Sequence, residues 1–275
     1  MPIEFLKNIF QFVLQSLKAV QSFSYTFTNL NRTKMKKILL VLIVGTPLLV
    51  GVSMAQGNET SVEQVGNSNT ADITQAGNNS SAEVIQGFNF RSSNNSEARI
   101  TQQGGSHDAS ISQRDLGIGD NDHEINQQGS SHKAAITVFH GPGNSGRITQ
   151  YGVNNNAELV QRSLADSRGN HEAVIQQDGE NHVAYATQSN DSNELLIEQY
   201  ETDNTGSIRQ FGFTNQATLL QYGSNNSAGD GTSSGPHGIF QDGISNFAEV
   251  TQHSDDNSSI VSQKGNNNTV IVTQN

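Results

Sequence analysis

The stretch Gln150–Gln161, which reads QYGVNNNAELVQ, contains the whole pattern that decides the fold. Its second half alternates small or apolar residues with freely varying ones, and a period of two indicates a β-strand with one buried face. Its first half, Gln-x-Gly-x-x-Asn, predicts a tight turn, because Gly adopts positive φ and Asn bonds its own backbone. The unit therefore predicts a strand, a tight turn and a second strand.

The same unit recurs along most of the chain, and each strand ends on a glutamine that we call the anchor. Successive anchors are most often eleven residues apart and never closer, so the sequence predicts that extra residues enter only between strands. Val138 takes the place of the anchor once. Stacked strands would place anchor over anchor, in a core ladder of amides that serves self-assembly. The predicted ladder glutamines are Gln64, Gln75, Gln86, Gln102, Gln113, Gln127, Gln150, Gln161, Gln177, Gln188, Gln199, Gln210, Gln221, Gln241, Gln252, Gln263 and Gln274.

Three further positions share the parity of the anchor and so its inward face. The residue four before the anchor is mostly Ala, and the residue two before it is Ile, Val or Leu with few exceptions. The residue six before it is often Asn or His, which predicts a second polar ladder. The predicted ladder asparagines are Asn69, Asn155, Asn215, Asn246 and Asn268.

Glycines two residues after an anchor predict the connectivity. Two strands of eleven-residue spacing make one rung, and eighteen anchor positions make nine rungs. We therefore predict an all-β, two-sided β-solenoid that stacks in cross-β fashion on assembly, with tight turns at one edge and insertions at the other. Tight turns therefore alternate with longer connections along the chain. This alternation shifts by half a turn of the solenoid near Gln188–Gln210, and the sequence offers no reason for the shift. The predicted tight-turn glycines are Gly77, Gly104, Gly129, Gly152, Gly179, Gly212, Gly243 and Gly265.

The composition is unusual for a folded domain. The 275-residue chain is 33% hydrophobic, has a formal charge of −11 and contains no Cys. So few apolar residues would suggest disorder, but a repeat protein shares a thin core between neighbouring units. The absence of Cys excludes disulfides and thiolate metal sites.

Residues 35–55 predict a cleaved signal peptide. Lys36 and Lys37 precede an apolar run, and Ser53-Met54-Ala55 fits a signal-peptidase site with cleavage after Ala55. A transmembrane anchor is the alternative, but the run is short for a bilayer core of about 30 Å. We interpret residues 1–34 as an upstream extension that the mature protein lacks, and residues 56–275 as the repeat domain.

Residues 56–275 are strongly acidic. They hold 9 Lys and Arg against 25 Asp and Glu, which leaves a formal charge of −16. This charge disfavours nucleic acid and anionic membranes as partners. The acidic side chains are expected on the outward positions, where they keep the chain soluble.

Strands are predicted close to both ends of the repeat domain. Thr269–Gln274 forms the last predicted strand, and the first begins only a few residues after Ala55. An uncapped strand edge is a template for another chain. We therefore expect growth by end-to-end strand addition, with Val270 and Val272 on the templating edge.

The alternation of Ser or Asn, five residues, Gln-x-Gly-x-x-Asn-x-Ala, three residues and Gln resembles the curlin repeat of bacterial curli fibre subunits, over residues 60–274. The resemblance implies a secreted functional amyloid that forms fimbria-like fibres on the cell surface, for biofilm and adhesion. It also implies an outer-membrane secretion pore and a fibre nucleator or co-subunit as partners.

Two departures from the family pattern concern the role of the chain within the family. Gln56–Thr60 is shorter than the family's export segment, and nine rungs exceed the usual five, so both a major subunit and a surface nucleator (minor curlin) fit.

Nothing in the sequence predicts an enzyme. We find no nucleophile with a base, no metal-ligand spacing and no phosphate loop, so no catalytic residue, metal, cofactor or small-molecule substrate is expected. A parallel β-helix hydrolase would have more variable rungs and long functional loops. A monomeric β-solenoid adhesin or binding module is a further alternative.

Three histidines stand where the second ladder has Asn. His107, His132 and His182 each lie six residues before an anchor position. They either replace the ladder Asn or provide a metal or pH-sensitive site for assembly.

Overall fold

The computed structural model describes residues 57–87, 94–114, 120–163, 169–232, 235 and 237–275. The predicted upstream extension and signal peptide, residues 1–55, lie outside these described residues. Within the described ranges, no helix is long and apolar enough to cross a membrane.

Every regular element in the described residues is a β-strand. Short turns separate most of the strands, as the eleven-residue spacing predicts. The strands are β1 (Glu59–Gln64), β2 (Thr70–Asn78), β3 (Ser81–Gln86), β4 (Glu97–Gly105), β5 (Asp108–Arg114), β6 (Asp122–Ser130), β7 (Lys133–Phe139), β8 (Ser145–Val153), β9 (Asn156–Arg162), β10 (Glu172–Glu180), β11 (Val183–Asp191), β12 (Glu194–Thr202), β13 (Thr205–Phe213), β14 (Gln216–Gln221), β15 (Ser227–Ala228), β16 (Ile239–Ile244), β17 (Phe247–Gln252), β18 (Ser258–Ser259), β19 (Val261–Lys264) and β20 (Thr269–Gln274).

The strands form two parallel sheets, and successive strands alternate between them. The first sheet runs β1-β3-β5-β7-β9-β11-β13 and then continues through two split levels, β15 with β16 and β18 with β19. The second sheet runs β2-β4-β6-β8-β10-β12-β14-β17-β20. Each sheet is thus nine levels deep, which confirms the predicted two-sided β-solenoid.

The register keeps like residues in columns along the stack. In the second sheet Gln150 pairs with Gln177, which pairs in turn with Gln199. Between the sheets lies a thin core, in which the residues two before the anchors of the inner rungs, such as Ile125 and Ile148, are fully buried. Ala residues flank them on the same face. Each strand contributes only two apolar positions to the core, which explains how so few apolar residues suffice.

The tight turns depend on glycines that stack on one another. The eight predicted turn glycines have φ between 98° and 138°. A Cβ on Gly129 would lie 1.9 Å from the carbonyl oxygen of Gly152 on the next rung. Glycine is therefore required twice over, by its backbone conformation and by the close approach of the next turn.

Near Gln188–Gln210 the tight turns move from one edge of the solenoid to the other, which accounts for the shift in the alternation. From Gly77 to Gly179 the glycine column connects the second sheet to the first, whereas from Gly212 to Gly265 it connects the first to the second. Where the two columns overlap, Asn190 and Glu201 take the glycine position with φ of 83° and 72°. The prediction that tight turns keep to one edge was therefore wrong.

One insertion also enters differently from the prediction. Between Ala228 and Ile239 the chain has nine residues more than between Ser259 and Val261 on the next rung, although both pairs hold equivalent inward positions. The extra residues lie in the segment 229–238, which we call the excursion, so this insertion falls within a strand of the first sheet and not between strands. The chain departs at an outward position, so Ala228 and Ile239 both remain buried.

The excursion covers part of the outer face of the first sheet. Gly238 N–H donates to the Ser207 hydroxyl at 3.1 Å, and His237 Nε2 lies 3.3 Å from an Arg209 guanidinium nitrogen. Ser207 and Tyr185 are buried although they point outward. The outer face is therefore covered at Tyr185 and Ser207.

Candidate functional site: the polar ladders and the ends of the stack

The anchors of the second sheet form an unbroken ladder of hydrogen bonds. Each side-chain Nε2 donates to the Oε1 of the next anchor, at 2.8–2.9 Å, from Gln75 to Gln274. All the anchors between these two are at most 1% exposed. A buried amide is tolerable only when its donors and acceptors are satisfied, and the ladder satisfies both.

Each anchor also joins the two sheets. The second Nε2 hydrogen of Gln177 donates to the carbonyl of Asn156 at 3.1 Å, and that of Gln199 to the carbonyl of Val183 at 3.0 Å. A carbonyl can only accept, so this contact fixes which end of each amide is Nε2. The whole ladder consequently points in one direction along the stack.

The ladder of the first sheet has the same direction but one irregular level. It runs from Gln64 to Gln113 and from Gln161 to Gln263 with Nε2 to Oε1 distances of 2.7–3.2 Å. Val138 occupies the level between Gln113 and Gln161. The imidazole of His123, from the second sheet, lies between those two glutamines.

The residues six before the anchors form two further columns. In the second sheet Asn215 Oδ1 accepts the backbone N–H of Asn246 at 3.0 Å, and Asn246 Oδ1 accepts that of Asn268 at 3.1 Å. The Nδ2 of Asn215 donates to the carbonyl of Gly243 at 3.1 Å. The column thus bonds each turn to the next, and Asn69 begins it with an Oδ1 that accepts the N–H of Ser96.

The columns contain more members than the predicted asparagines. Their six-residue offset from an anchor could have identified most of them. Asn226 is the exception, because the excursion separates it from Gln241. The additional buried members are Ser80, Ser96, Asn121, Asn144, His171, Asn193, Asn204 and Asn226.

The three histidines of the sequence analysis replace Asn in the column of the first sheet. His132 Nδ1 accepts the backbone N–H of Asn155 at 3.2 Å, and its Nε2 lies 3.1 Å from the carbonyl of Gln128. These contacts require a neutral ring protonated at Nε2. Burial lowers the pKa of His107, His132 and His182 below 6.5. Among the described residues, no cluster of three or more His, Asp or Glu could hold a metal ion.

The two ends of the stack differ from its interior. Val62 and Ile73 at the start, and Val270 and Val272 at the end, are only partly buried, although they occupy core positions. In the described residues β20 pairs with β17 alone, and β2 with β4 alone. The predicted templating residues thus lie on a strand with one unpaired edge.

Residues 56–87, 202–229 and 240–275 match the family described as Curlin associated repeat. These segments cover the first strands and the last rungs of the stack. The rungs between them keep the same register and columns, so the repeat continues through the unmatched part of the chain. No curated protein matches the chain significantly.

Proposed function

Because three of its segments match curlin-associated repeats, this chain is a curlin-repeat protein, and we propose that it is a secreted structural subunit that assembles end to end into extracellular fibres. The observation that carries the proposal is the chemistry of the two ends. Each end exposes a strand edge, partly buried core residues and the end of two polar ladders.

The two ends are complementary in hydrogen bonding. The ladders finish on Gln263 and Gln274, each with one Nε2 hydrogen bonded to a backbone carbonyl and the other directed along the stack. They begin at Gln64 and Gln75, whose Oε1 atoms are the acceptor ends of the ladders, and the Oε1 of Gln75 also accepts from the Thr60 hydroxyl at 2.9 Å. A second copy placed on the last rung would therefore continue both ladders from donor to acceptor. The opposite arrangement, end on like end, would bring donor against donor.

Apolar burial favours the same contact between the last rung of one copy and the first rung of the next, which we call the joint. Val270 and Val272 would meet Ala71 and Ile73 of the next copy, as Val250 of β17 now meets Val272. Burying apolar area stabilises by about 25 cal/mol per Å². Backbone hydrogen bonds along both new strand pairs would add to this, since an unpaired edge already presents its N–H and C=O groups.

The role of such fibres follows from the family resemblance. We propose that the chain crosses the inner membrane with a cleaved signal peptide, residues 35–55, and leaves the cell through an outer-membrane pore. On the cell surface a nucleator or co-subunit would start fibre growth, and the fibres would contribute to biofilm matrix and adhesion. Between fibre subunit and nucleator, the ladder complementarity favours the subunit, because it allows unlimited addition.

The primary test is assembly of the protein released from denaturant. We expect sigmoidal thioflavin kinetics, loss of the lag phase on seeding, and a meridional fibre reflection near about 4.7 Å. A soluble, strand-rich monomer that forms no fibres would overturn the proposal and support a binding solenoid.

A matched pair of variants tests the joint itself. Val272 points inward and Ile271, its neighbour, is 63% exposed on the outer face. Val272→Lys would bury a charge in the joint, so we expect elongation at least tenfold slower than for the wild type. Ile271→Lys adds the same charge outside the joint and should elongate within about twofold of the wild type. Equal slowing in both variants would contradict end-to-end addition.

A further inference from the structure

The ladder of the first sheet has a gap that the chain fills from the opposite sheet. Gln113, Val138 and Gln161 occupy three successive levels, on β5, β7 and β9. Val138 is fully buried and has no side-chain donor or acceptor. Without another group, the Nε2 of Gln113 and the Oε1 of Gln161 would each lack a ladder partner in the core. Such a loss costs about 1–3 kcal/mol for each buried group.

His123 supplies the missing partner. It lies on β6, where its neighbours in the same column are Ala98 and Gly146. Its Nδ1 lies 2.8 Å from Gln113 Nε2, and its Nε2 lies 2.8 Å from Gln161 Oε1. A neutral ring protonated at Nε2 accepts from the first amide and donates to the second. The direction of the ladder is therefore preserved through the imidazole.

Gly146 provides the space for the ring. A Cβ at this position would lie 2.8 Å from His123 Cδ2 and 2.7 Å from Leu159 Cδ2. In the same column Ala98 and Ala173 carry that Cβ without difficulty. Three departures from the repeat thus lie together. Val138 replaces an anchor Gln, and His123 and Gly146 each replace an Ala.

We propose that His123, Val138 and Gly146 form one coupled unit, in which the imidazole replaces the missing anchor amide and makes this part of the stack sensitive to acid. The unit belongs to the fold itself, so the inference does not depend on fibre assembly.

Protonation would break the bridge. An imidazolium has N–H groups on both nitrogens, so Nδ1 could no longer accept from Gln113. Rotating the Gln113 amide does not help, because its Nε2 also donates to the carbonyl of Glu97 at 3.0 Å. The rotated Oε1 would face that carbonyl oxygen instead.

The surroundings of the ring hold few charges that could offset protonation. Gln113, Val138, Gly146, Leu159 and Gln161, which face it from β5, β7, β8 and β9, are all uncharged. Burial lowers the pKa of His123 more than the hydrogen bond to Gln161 and the nearby charge of Asp122, on β6, raise it. Complete burial lowers the pKa of His123 to about 4. The bridge thus stabilises the fold above the unfolded-state pKa of 6.5, and this contribution is lost as the pH falls towards 4.

The coupling predicts rescue in a set of variants of the full chain. At pH 7.5 we expect His123→Ala to lower the thermal unfolding midpoint, followed by β-sheet circular dichroism, by roughly 5–10 °C. Val138→Gln alone should also lower it, because its amide would compete with the imidazole for one space. The H123A/V138Q double variant restores a direct Gln-to-Gln ladder and should recover at least half of the loss. Adding G146A, which returns the column to Ala, should not lower the midpoint further.

The pH profile provides a readout that a purely steric role would not change. Between pH 7.5 and 4.5 the double variant should lose less of its midpoint than the wild type. Replacement of the exposed His253 by Ala serves as the control, and the difference between this variant and the double variant should persist. A double variant that unfolds like His123→Ala, a stabilising Val138→Gln, or equal acid sensitivity in double variant and wild type would each overturn the proposal.

Discussion

His107 and His132 lie one above the other on adjacent rungs, with ring centroids 5.1 Å apart and ring planes 7° from parallel. His107 Nδ1 lies 3.4 Å from the backbone nitrogen of His132, where rungs such as those of Asn155 and Asn204 have an Asn oxygen. The imidazole thus replaces an amide oxygen as the acceptor of the column, and it can do so only while neutral.

We expect the stability of the protein to fall as the pH drops below about 6.5. Burial lowers the pKa of His107, His132 and His182, and His107 lowers that of His132 further by charge repulsion. The unfolded chain therefore binds protons first, so stability is complete above the unfolded pKa and is lost on acidification. Unfolding midpoints measured between pH 8 and 4.5 test this. Replacing all three by Asn, the usual residue of the column, should make the profile shallower, and an unchanged slope would contradict the assignment.

Gly104 and Gly105 provide a matched test of the glycine column. Gly104 has a φ of 123°, and a Cβ there would lie 1.8 Å from the carbonyl oxygen of Gly129. Gly105 does not have a positive φ of this kind, and a Cβ there would meet only the backbone carbonyl oxygen of Asn78, at 3.4 Å. We expect Gly104→Ala to cost roughly 3 kcal/mol of unfolding free energy or more, and Gly105→Ala to stay within about 1 kcal/mol of the wild type. Denaturant titration measures both, and similar losses would mean that the close approach is not limiting.

Gln177 and its neighbour Gln176 allow the contribution of the ladder to be measured apart from that of the strand. Gln177 accepts from Gln150 and donates to Gln199, both at 2.8 Å, whereas Gln176 faces outward. Leu at position 177 leaves buried ladder partners unpaired, so we expect a loss of about 2–4 kcal/mol in unfolding free energy. Leu at position 176 should change it by less than about 1 kcal/mol. A Gln177→Leu variant as stable as the wild type would show that the ladder contributes little.

The excursion should be dispensable for stacking. Deleting residues 229–237 leaves Gly238 between Ala228 and Ile239, which matches the spacing Ser259-Ile260-Val261 on the next rung. We expect the β-sheet circular dichroism to persist and elongation to change by less than about threefold, whereas removal of Gly265–Asn275, with the last strand, should slow elongation at least tenfold. Equal effects of the two deletions would contradict growth at the strand edge.

Much of the fold could be predicted because inward and outward residues alternate so regularly. The pairing of Gln150 with Gln177 and the burial of Ile148 follow from the offset of each residue to its anchor. In a parallel stack, residues at the same offset from their anchors lie above one another, so the structure of one repeat predicts that of the next. The glycine turns were predictable for the same reason, since Gly152 lies two residues after its anchor.

The excursion, the change of edge and the His123 bridge could not be predicted in this way. A spacing of twenty residues between Gln221 and Gln241 does not show where the extra residues leave the stack. Glu201 gives no sign of positive φ in its residue type. His123 and Val138 belong to different half-units, and only the facing of the two sheets brings the ring into the gap.

The common direction of the ladders has an electrical consequence. An amide group carries a dipole of about 3.5 D, and the Gln side chains of both ladders align theirs along one axis, as peptide groups do in a helix. Because the amides of both sheets point the same way, their dipoles add instead of cancelling. The stack is therefore an elongated dipole with a positive amino end at Gln274 and a negative carbonyl end at Gln75. Neighbouring molecules in a bundle would lower their electrostatic energy by lying in opposite directions.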